Sequence, residues 1–176
     1  MPRLAVFLLS GIFIMCSSAI TRTSVKEKIQ WLTIAEVNDK MKNEPRPVLI
    51  DLYTNWCYWC KVMDKKTYNN NKVIAYINEN FYAIKLNAES REPIEWGNKK
   101  YIYNARNKVN DFALYLTNGQ LGFPTTVIFP QIEKEPAAVP GFMAPKEMEG
   151  ILKYFGEGSY KTQNYQEFSG TFTTSW

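Results

Sequence analysis

The sequence predicts an α/β protein in which a mixed β-sheet is flanked by helices on both faces. Segments with apolar residues at helical spacing alternate with short apolar runs of strand length along most of the chain. Near the C-terminal end two strands follow one another without an intervening helix, which favours an antiparallel pair added to parallel strands. The 176 residues are enough for one domain with a proper core.

The composition excludes several classes of function. Apolar residues make up 45% of the chain and charged residues 22%, as in an ordinary globular protein. The net charge of +4 is too small and too scattered to indicate nucleic acid or an anionic membrane surface as a partner. Because the chain has no histidine, it lacks the usual general base, the commonest metal ligand and any Ser–His or Cys–His catalytic pair.

The N-terminal segment, residues 1–19, is predicted to be a signal peptide. Arg3 supplies a positive charge, and residues 4–16 form an apolar run that is too short for a membrane span. The small residues 17–19 suit cleavage by a signal peptidase after Ala19. We therefore expect an exported protein of the periplasm or cell envelope of a bacterium.

An alternative interpretation makes Cys16 the acylated first residue of a bacterial lipoprotein. Met15 precedes it where lipoprotein signals prefer glycine, alanine or serine, so the unlipidated form is favoured. The polar, aperiodic residues 20–30 are predicted to be a tether, and the folded domain is expected to span residues 31–157.

The first half of the predicted domain places a buried strand between two helices. Thr33 and Glu36 form a capping box for a helix over residues 33–43. Residues 48–53 are an apolar run typical of a strand buried on both faces, interrupted only by Asp51. The next predicted elements are a helix over 57–66, a helical run over 73–81 and a strand over 82–86.

Residues 88–122 resemble an insertion within this alternation of helices and strands. They are predicted to contain a hairpin around Gly97-Asn98 and a helix over 107–117. The insertion either influences partner choice or is a surface elaboration without function. The last predicted elements are strands over 124–129 and 137–142, a helix over 145–155 and an irregular tail over 158–176.

Removal of the signal peptide leaves two cysteines, Cys57 and Cys60, at a strand-to-helix junction. A bridge that closes so small a loop constrains the unfolded chain little, so a structural role explains the pair poorly. Unpaired amides at the helix N-terminus favour a thiolate at Cys57, and Cys60 lies one turn inward, where it can attack a mixed disulfide. Zinc would require further cysteine or histidine ligands, which the mature chain lacks. The pair therefore predicts thiol–disulfide exchange.

Three motifs resemble the thioredoxin superfamily, in the order that the family has them. Residues 48–63 are similar to its active-site stretch, residues 85–87 to its second core strand and residues 122–126 to its cis-proline loop. The Trp-Cys-x-x-Cys-Lys core is the most specific part, and its form here resembles thioredoxin-like modules of exported bacterial proteins more than it resembles cytosolic thioredoxin. The resemblance covers about residues 31–155 and implies a thioredoxin-like mixed β-sheet flanked by helices on both faces.

The resemblance also implies roles for Asp51 and Lys85. Asp51 lies six residues before Cys57, where the family carries a buried acid that accepts and returns the proton of the inner thiol. Burial would raise the pKa of that carboxyl, and Lys85, at the position of the partner lysine, would lower it. The alternatives are an edge strand with Asp51 in solvent and a lysine that is simply solvated.

Five further residues are expected to form the substrate-binding surface: Trp56, Tyr58, Trp59, Phe123 and Pro124. Pro124 matches the family's cis-proline, which leaves the Phe123 backbone free to pair with an extended substrate; a trans surface proline is the alternative. Strong oxidants of the superfamily tend to carry a histidine between the cysteines. Since Tyr58 and Trp59 occupy those positions, the sequence favours a reductant.

We therefore expect a thiol–disulfide oxidoreductase that reduces disulfides in exported proteins, with Cys57 attacking and Cys60 resolving. The resemblance implies a membrane-spanning thiol reductase as electron donor. No cofactor, metal ion or nucleic acid is expected, and the protein is expected to be a monomer. The alternatives are a disulfide isomerase, which usually requires a dimer, and a non-catalytic module that holds a client protein or Cu(I).

Overall fold

A five-stranded mixed sheet organises residues 27–176, the part of the chain that the computed structural model describes. Over this range the strands are β1 (Trp31–Leu32), β2 (Val48–Tyr53), β3 (Tyr82–Asn87), β4 (Ile94–Trp96), β5 (Lys99–Tyr101), β6 (Tyr103–Asn104), β7 (Val109–Asn110), β8 (Thr125–Phe129) and β9 (Ala137–Pro140). The helices are α1 (Ile34–Met41), α2 (Tyr58–Lys66), α3 (Asn71–Asn80), α4 (Asp111–Leu116), α5 (Pro145–Gly156) and α6 (Tyr165–Thr171), with a 3₁₀ turn at Ser159–Lys161.

The strands of the main sheet lie in the order β1-β3-β2-β8-β9. Strands β1, β2 and β3 are parallel, β8 runs antiparallel to β2, and β9 runs antiparallel to β8. Helices α2, α3 and α5 cover one face and α1 and α4 the other. The predicted fold class, a mixed sheet with helices on both faces, is thus confirmed.

The central strand β2 contributes to both cores because successive side chains point to opposite faces of a sheet. Leu49 joins the core under α2, α3 and α5, whereas Val48, Ile50 and Leu52 join the core under α1 and α4. Asp51 lies two residues after Leu49, so the two side chains point to the same face of the sheet. The alternation therefore places this acid on the α2 side of the sheet, beneath the helix that carries the cysteines.

The hairpin predicted around Gly97-Asn98 is present as the antiparallel pair β4–β5. The helix predicted over residues 107–117 is wrong at its start, because α4 begins only at Asp111. The preceding residues pair instead as a second small hairpin, β6–β7. The Asn110 side chain then caps α4 by accepting the Phe112 N–H at 3.0 Å.

The prediction of an irregular C-terminal tail is also wrong. Asn164 and Glu167 form a capping box that starts α6, and this Asn-x-x-Glu spacing is visible in the sequence. Phe168 of α6 is buried and lies 5.3 Å, ring to ring, from Tyr154 of α5. The segment therefore extends the core on the α5 side of the sheet.

The carboxylate of Glu149 anchors the last residues of the chain to α5. It is fully buried and accepts hydrogen bonds from the backbone N–H groups of Ser175 and Trp176 and from the hydroxyls of Thr174 and Ser175. Lys153 contributes an ion pair at 2.9 Å. Burial alone would raise the pKa of Glu149, but these hydrogen bonds outweigh it and lower the pKa to about 2.

At the N-terminal side, the predicted tether ends before residue 30. Ile29 is buried, Gln30 donates its N–H to Asn78 on α3 at 2.9 Å, and Asn78 donates to the Lys28 carbonyl at 3.0 Å. The signal peptide predicted over 1–19 and the alternative lipidation site Cys16 lie outside the described residues. Between residues 27 and 176, no helix has the length and apolar character needed to cross a bilayer.

Candidate redox site

Cys57 and Cys60 are joined by a disulfide at the N-terminus of α2. Cys57 is the N-cap residue of this helix, and its Sγ accepts the N–H of Cys60 at 3.0 Å. The two cysteines are only 4% and 5% exposed. The structure therefore brings the predicted pair to the helix end, where backbone donors face the outer sulfur.

Asp51 lies beneath the disulfide-bearing helix and pairs with Lys85. The two residues are direct neighbours in the parallel register of β2 and β3, and Lys85 Nζ lies 3.1 Å from Asp51 Oδ2. Asp51 is 2% exposed. Burial raises the pKa of Asp51 to about 6, and the attraction of Lys85 limits the rise. The carboxyl therefore titrates close to neutral pH, where it can take up and return a proton.

Sequence reasoning assigned no role to Asp64, which is the second carboxylate on Lys85. The Lys85 ammonium makes a short contact with Asp64 Oδ1 while it pairs with Asp51. Burial alone would lower the pKa of Lys85, but the two carboxylates outweigh it and raise the pKa. Asp64 follows Cys60 by one helical turn, and this spacing is the signal that indicates its position on the same face of α2.

The Lys85 ammonium also lies among three aromatic rings. Its Nζ is 5.3 Å from the ring centre of Trp31, 5.2 Å from that of Tyr53 and 5.9 Å from that of Tyr68. Aromatic faces attract cations, so the rings favour the charged form of the lysine. The charge pair below the disulfide is consequently fixed in place by β1, β2, β3 and α2 together.

We expect Asp64→Asn to lower the pKa of Asp51 by about half a unit to one unit. The Asp64 carboxylate raises the pKa of Asp51 by repulsion, and its removal leaves the Lys85 ammonium to Asp51 alone. An NMR titration of the Asp51 carboxyl carbon measures the shift. Glu133→Gln, at an exposed glutamate, serves as the control. An unchanged or higher pKa of Asp51 in Asp64→Asn would show that the two carboxylates do not share the lysine.

Exposed aromatic side chains surround the disulfide. Trp56, Tyr58 and Trp59 are 66%, 70% and 55% exposed. The Trp56 ring lies edge-on to Phe123 at 5.9 Å, and its indole N–H donates to Glu89 Oε1 at 3.0 Å. The predicted substrate-binding aromatic residues thus lie beside the disulfide, whereas the contact with Glu89 was not predicted.

The loop before β8 completes this surface. The Phe123–Pro124 peptide bond is cis, and the Pro124 carbonyl accepts the N–H of Gly141 at 2.8 Å. The next residue along the chain after Gly141, Phe142, lies 5.7 Å from Trp59, ring to ring. Among residues 27–176, no group of three or more His, Cys, Asp or Glu side chains is arranged to hold a metal ion.

Comparison with known families gives one match that covers most of the chain. The family model Thioredox_DsbH, described as "Protein of unknown function, DUF255", matches residues 12–156. This range includes all of the candidate site residues described above.

Two curated relatives are much longer than this chain. The thiol:disulfide interchange protein DsbD of Pectobacterium atrosepticum is 28% identical over 140 residues, which are 78% of this chain and 21% of DsbD. An uncharacterized Caenorhabditis elegans protein is 25% identical over 119 residues, which are 68% of this chain and 14% of that protein. The chain therefore spans about a fifth or less of the length of these relatives.

Solved structures similar to this one share the thioredoxin fold. A thioredoxin-fold protein from Helicobacter pylori aligns with a TM-score of 0.55 at 20% identity, over 71% of this chain and 78% of that one. A structure described as "DsbH Oxidoreductase" aligns with a TM-score of 0.54 at 18% identity, over 84% of this chain and 95% of that one. At these identities the likeness establishes the fold.

Proposed function

The chain belongs to the Thioredox_DsbH (DUF255) family of the thioredoxin superfamily, and from this premise we propose that it is a thiol–disulfide oxidoreductase that reduces disulfides in exported proteins. One observation carries the proposal: the helix whose N-terminus holds the disulfide is tied, through Asp64 and the shared Lys85 ammonium, to the buried Asp51 carboxyl, whose pKa is about 6. The similarity to DsbD, a thiol:disulfide interchange protein, supports the same chemistry.

In the proposed reaction the reduced protein first forms a mixed disulfide with its client. The Cys57 thiolate attacks one sulfur of a client disulfide, so that a Cys57–client disulfide forms and the other client sulfur leaves as a thiolate. The backbone donors at the start of α2 stabilise the negative charge on Cys57 before the attack. The departing thiolate takes its proton from solvent.

Cys60 completes the exchange, and Asp51 handles its proton. The Asp51 carboxylate accepts the proton of the Cys60 thiol, and the resulting thiolate attacks Cys57 Sγ. The Cys57–Cys60 disulfide forms, and the second client sulfur leaves as a thiolate. Two electrons have then passed from the dithiol to the client. A second dithiol must restore the reduced form, and we propose a membrane-spanning thiol reductase of the envelope as this donor.

The residues between the cysteines favour reduction over oxidation. Tyr58 and Trp59 carry no positive charge, so no side chain between the cysteines stabilises the Cys57 thiolate, and the reduced form remains the better electron donor. The contact surface proposed for clients consists of Trp56, Phe123 and Pro124 on one side of the disulfide and Tyr58 and Trp59 on the other.

Reduction of insulin by dithiothreitol, followed by turbidity, tests the proposal. We expect the wild-type protein to accelerate the reaction at least about tenfold and Cys57→Ser to abolish the acceleration. Cys60→Ser retains the attacking sulfur and is expected to accumulate a mixed disulfide with insulin on non-reducing gels. Cys57→Ser is the matched control, because it lacks the attacking sulfur and is expected to trap nothing.

Other outcomes would contradict the proposal in distinguishable ways. Failure both to reduce insulin and to trap it would favour a binding module. Reactivation of scrambled ribonuclease at a rate above that of insulin reduction would indicate an isomerase. An equilibrium titration against glutathione that gives a potential as oxidising as that of a dedicated oxidase would reverse the proposed direction of electron flow.

A further inference from the structure

We propose that the preferred substrates are disulfide-bonded peptide segments that carry a large apolar residue next to the attacked cysteine and acidic residues about two to three positions beyond it. The segments would bind along the exposed face of α2. This inference rests on the proposed function, since it names the substrate class for the same dithiol. It assigns the two ends of that face to different parts of the client.

The apolar end of the face is an aromatic shelf, formed by Tyr58, Trp59 and Phe142. The Trp59 ring lies 5.6 Å from Tyr58 and 5.7 Å from Phe142, ring centre to ring centre. Tyr58 and Trp59 nevertheless keep more than half of their surface in solvent and belong to neither core. Together with Trp56 they expose on the order of 400 Å² of mainly apolar surface, on the scale of patches that mark interaction sites.

A client that reaches the disulfide is expected to contact the aromatic shelf. Cys57 and Cys60 are almost buried, and the residues on either side of Cys57, Trp56 and Tyr58, carry exposed rings, so a client segment that reaches Cys57 meets exposed aromatic surface. The side chain next to the client cysteine then lies against Trp59 or Tyr58. A large apolar side chain there buries aromatic surface and is preferred to a small polar one.

The other end of the face is basic. Lys61 and Lys65 follow Tyr58 by three and seven residues and therefore share its side of the helix, at about 4.5 Å and 10 Å along the axis. Both are exposed, and between residues 27 and 176 neither forms an ion pair with a carboxylate. The distance to Lys65 corresponds to about three residues of extended chain, which sets the expected position of client acids.

An acidic side chain lies on the Trp56 side of the disulfide. Glu89 lies there, with its carboxylate on the indole N–H of Trp56. The acid nearest to Lys61 and Lys65 on their own helix, Asp64, is occupied by Lys85. A client is consequently oriented with its acidic end along α2 and away from Glu89. The exchange itself is the one described above, in which two electrons pass from the dithiol to the client.

The test compares kcat/KM, with dithiothreitol as reductant, for three peptide disulfides and for 2-hydroxyethyl disulfide. The peptides differ in the residue beside the cysteine and in the residue three positions beyond it. The three combinations are Leu with Asp, Ser with Asp, and Leu with Lys. We expect the wild type to prefer Leu–Asp over Ser–Asp about tenfold and over Leu–Lys about threefold at low salt. Trp59→Ser is expected to remove most of the first preference. The double variant Lys61→Gln/Lys65→Gln is expected to remove the second preference and its salt dependence.

Two matched controls are expected to keep both preferences. Tyr165→Ala removes an exposed aromatic ring of α6, and Lys99→Gln/Lys100→Gln removes two exposed lysines of the β5 hairpin. An equal loss in the lysine control would assign the charge preference to net charge and overturn the role of α2. Equal wild-type rates on all three peptides would overturn the inference while leaving the proposed function intact.

Two further outcomes distinguish this inference from the proposed function and from binding to a membrane. Absence of any reduction, including that of 2-hydroxyethyl disulfide, would refute the proposed function itself. The wild type could sediment with phosphatidylglycerol vesicles while Trp59→Ser does not, and Trp59→Ser could keep the wild-type peptide preferences. That result would assign the aromatic shelf to a membrane surface and overturn the inference.

Discussion

We expect Glu149→Gln to lower the free energy of unfolding near neutral pH by about 3 kcal/mol. The substitution removes the charge that Lys153 pairs with and presents an amide NH₂ to a site built from donors, namely the N–H groups of Ser175 and Trp176 and the Thr174 hydroxyl. Urea unfolding followed by far-ultraviolet circular dichroism measures the loss. Glu133→Gln, at an exposed site, is expected to leave the stability unchanged within about 0.5 kcal/mol.

The effect of pH on this variant has a defined sign. The pKa of Glu149 falls from its ordinary value of 4.5 to about 2 in the folded protein, so the folded state binds this proton less tightly than the unfolded state. The resulting stabilisation, about 3 kcal/mol, is complete above about pH 5 and disappears as the pH falls towards 2. The deficit of Glu149→Gln should therefore narrow in acid. A deficit that is constant between neutral pH and about pH 2 would contradict the assignment.

We expect Asp51→Asn to have the opposite effect on stability, raising it by about 3 kcal/mol above about pH 7. Burial raises the pKa of Asp51 from 3.8 to about 6, so the folded state binds this proton more tightly than the unfolded state. The carboxyl then destabilises the fold progressively as the pH rises from about 4 through about 6. Asparagine removes that penalty, while Lys85 keeps Asp64 as a partner. The gain is expected to vanish below about pH 4.

The same substitution is expected to slow insulin reduction at least about tenfold near neutral pH, because no group then accepts the Cys60 proton. The pH profile of kcat/KM should also lose its inflection near the pKa of Asp51. Asp64→Asn keeps the proton acceptor and is expected to move the inflection rather than remove it. Faster turnover in Asp51→Asn, or an unchanged profile, would rule out proton transfer through this carboxyl.

The parts of the molecule that could be predicted from the sequence are those indicated by residues close to one another in the chain. The apolar run with a single acid predicts β2 and the burial of Asp51, and the spacing of Cys57 and Cys60 predicts the junction at which they lie. Lys85 was placed by its motif, and the register of β2 and β3 puts it directly beside Asp51.

Contacts between distant parts of the chain were not predictable in this way. Nothing near Trp59 in the sequence indicates that Phe142 will lie against it, since the contact depends on how the loop after β9 folds back. From the sequence alone, Glu149 would be interpreted as a solvated helical residue. In the structure the last residues of the chain bury it and donate hydrogen bonds to its carboxylate. The α6 helix was missed for a different reason. Its capping box is visible in the sequence, but the helix has only seven residues, too few to show a repeated apolar pattern.

The parallel register between β2 and β3 also limits how the sequence can change over evolution. Asp51 stands beside Lys85 only while both strands keep their lengths, and a slip by one residue would turn every side chain of the slipped strand to the opposite face. Insertions and deletions within these strands would thus remove the charge pair and mix the two cores in a single event. Changes in chain length are better tolerated at turns such as Gly97-Asn98, whose residues are exposed.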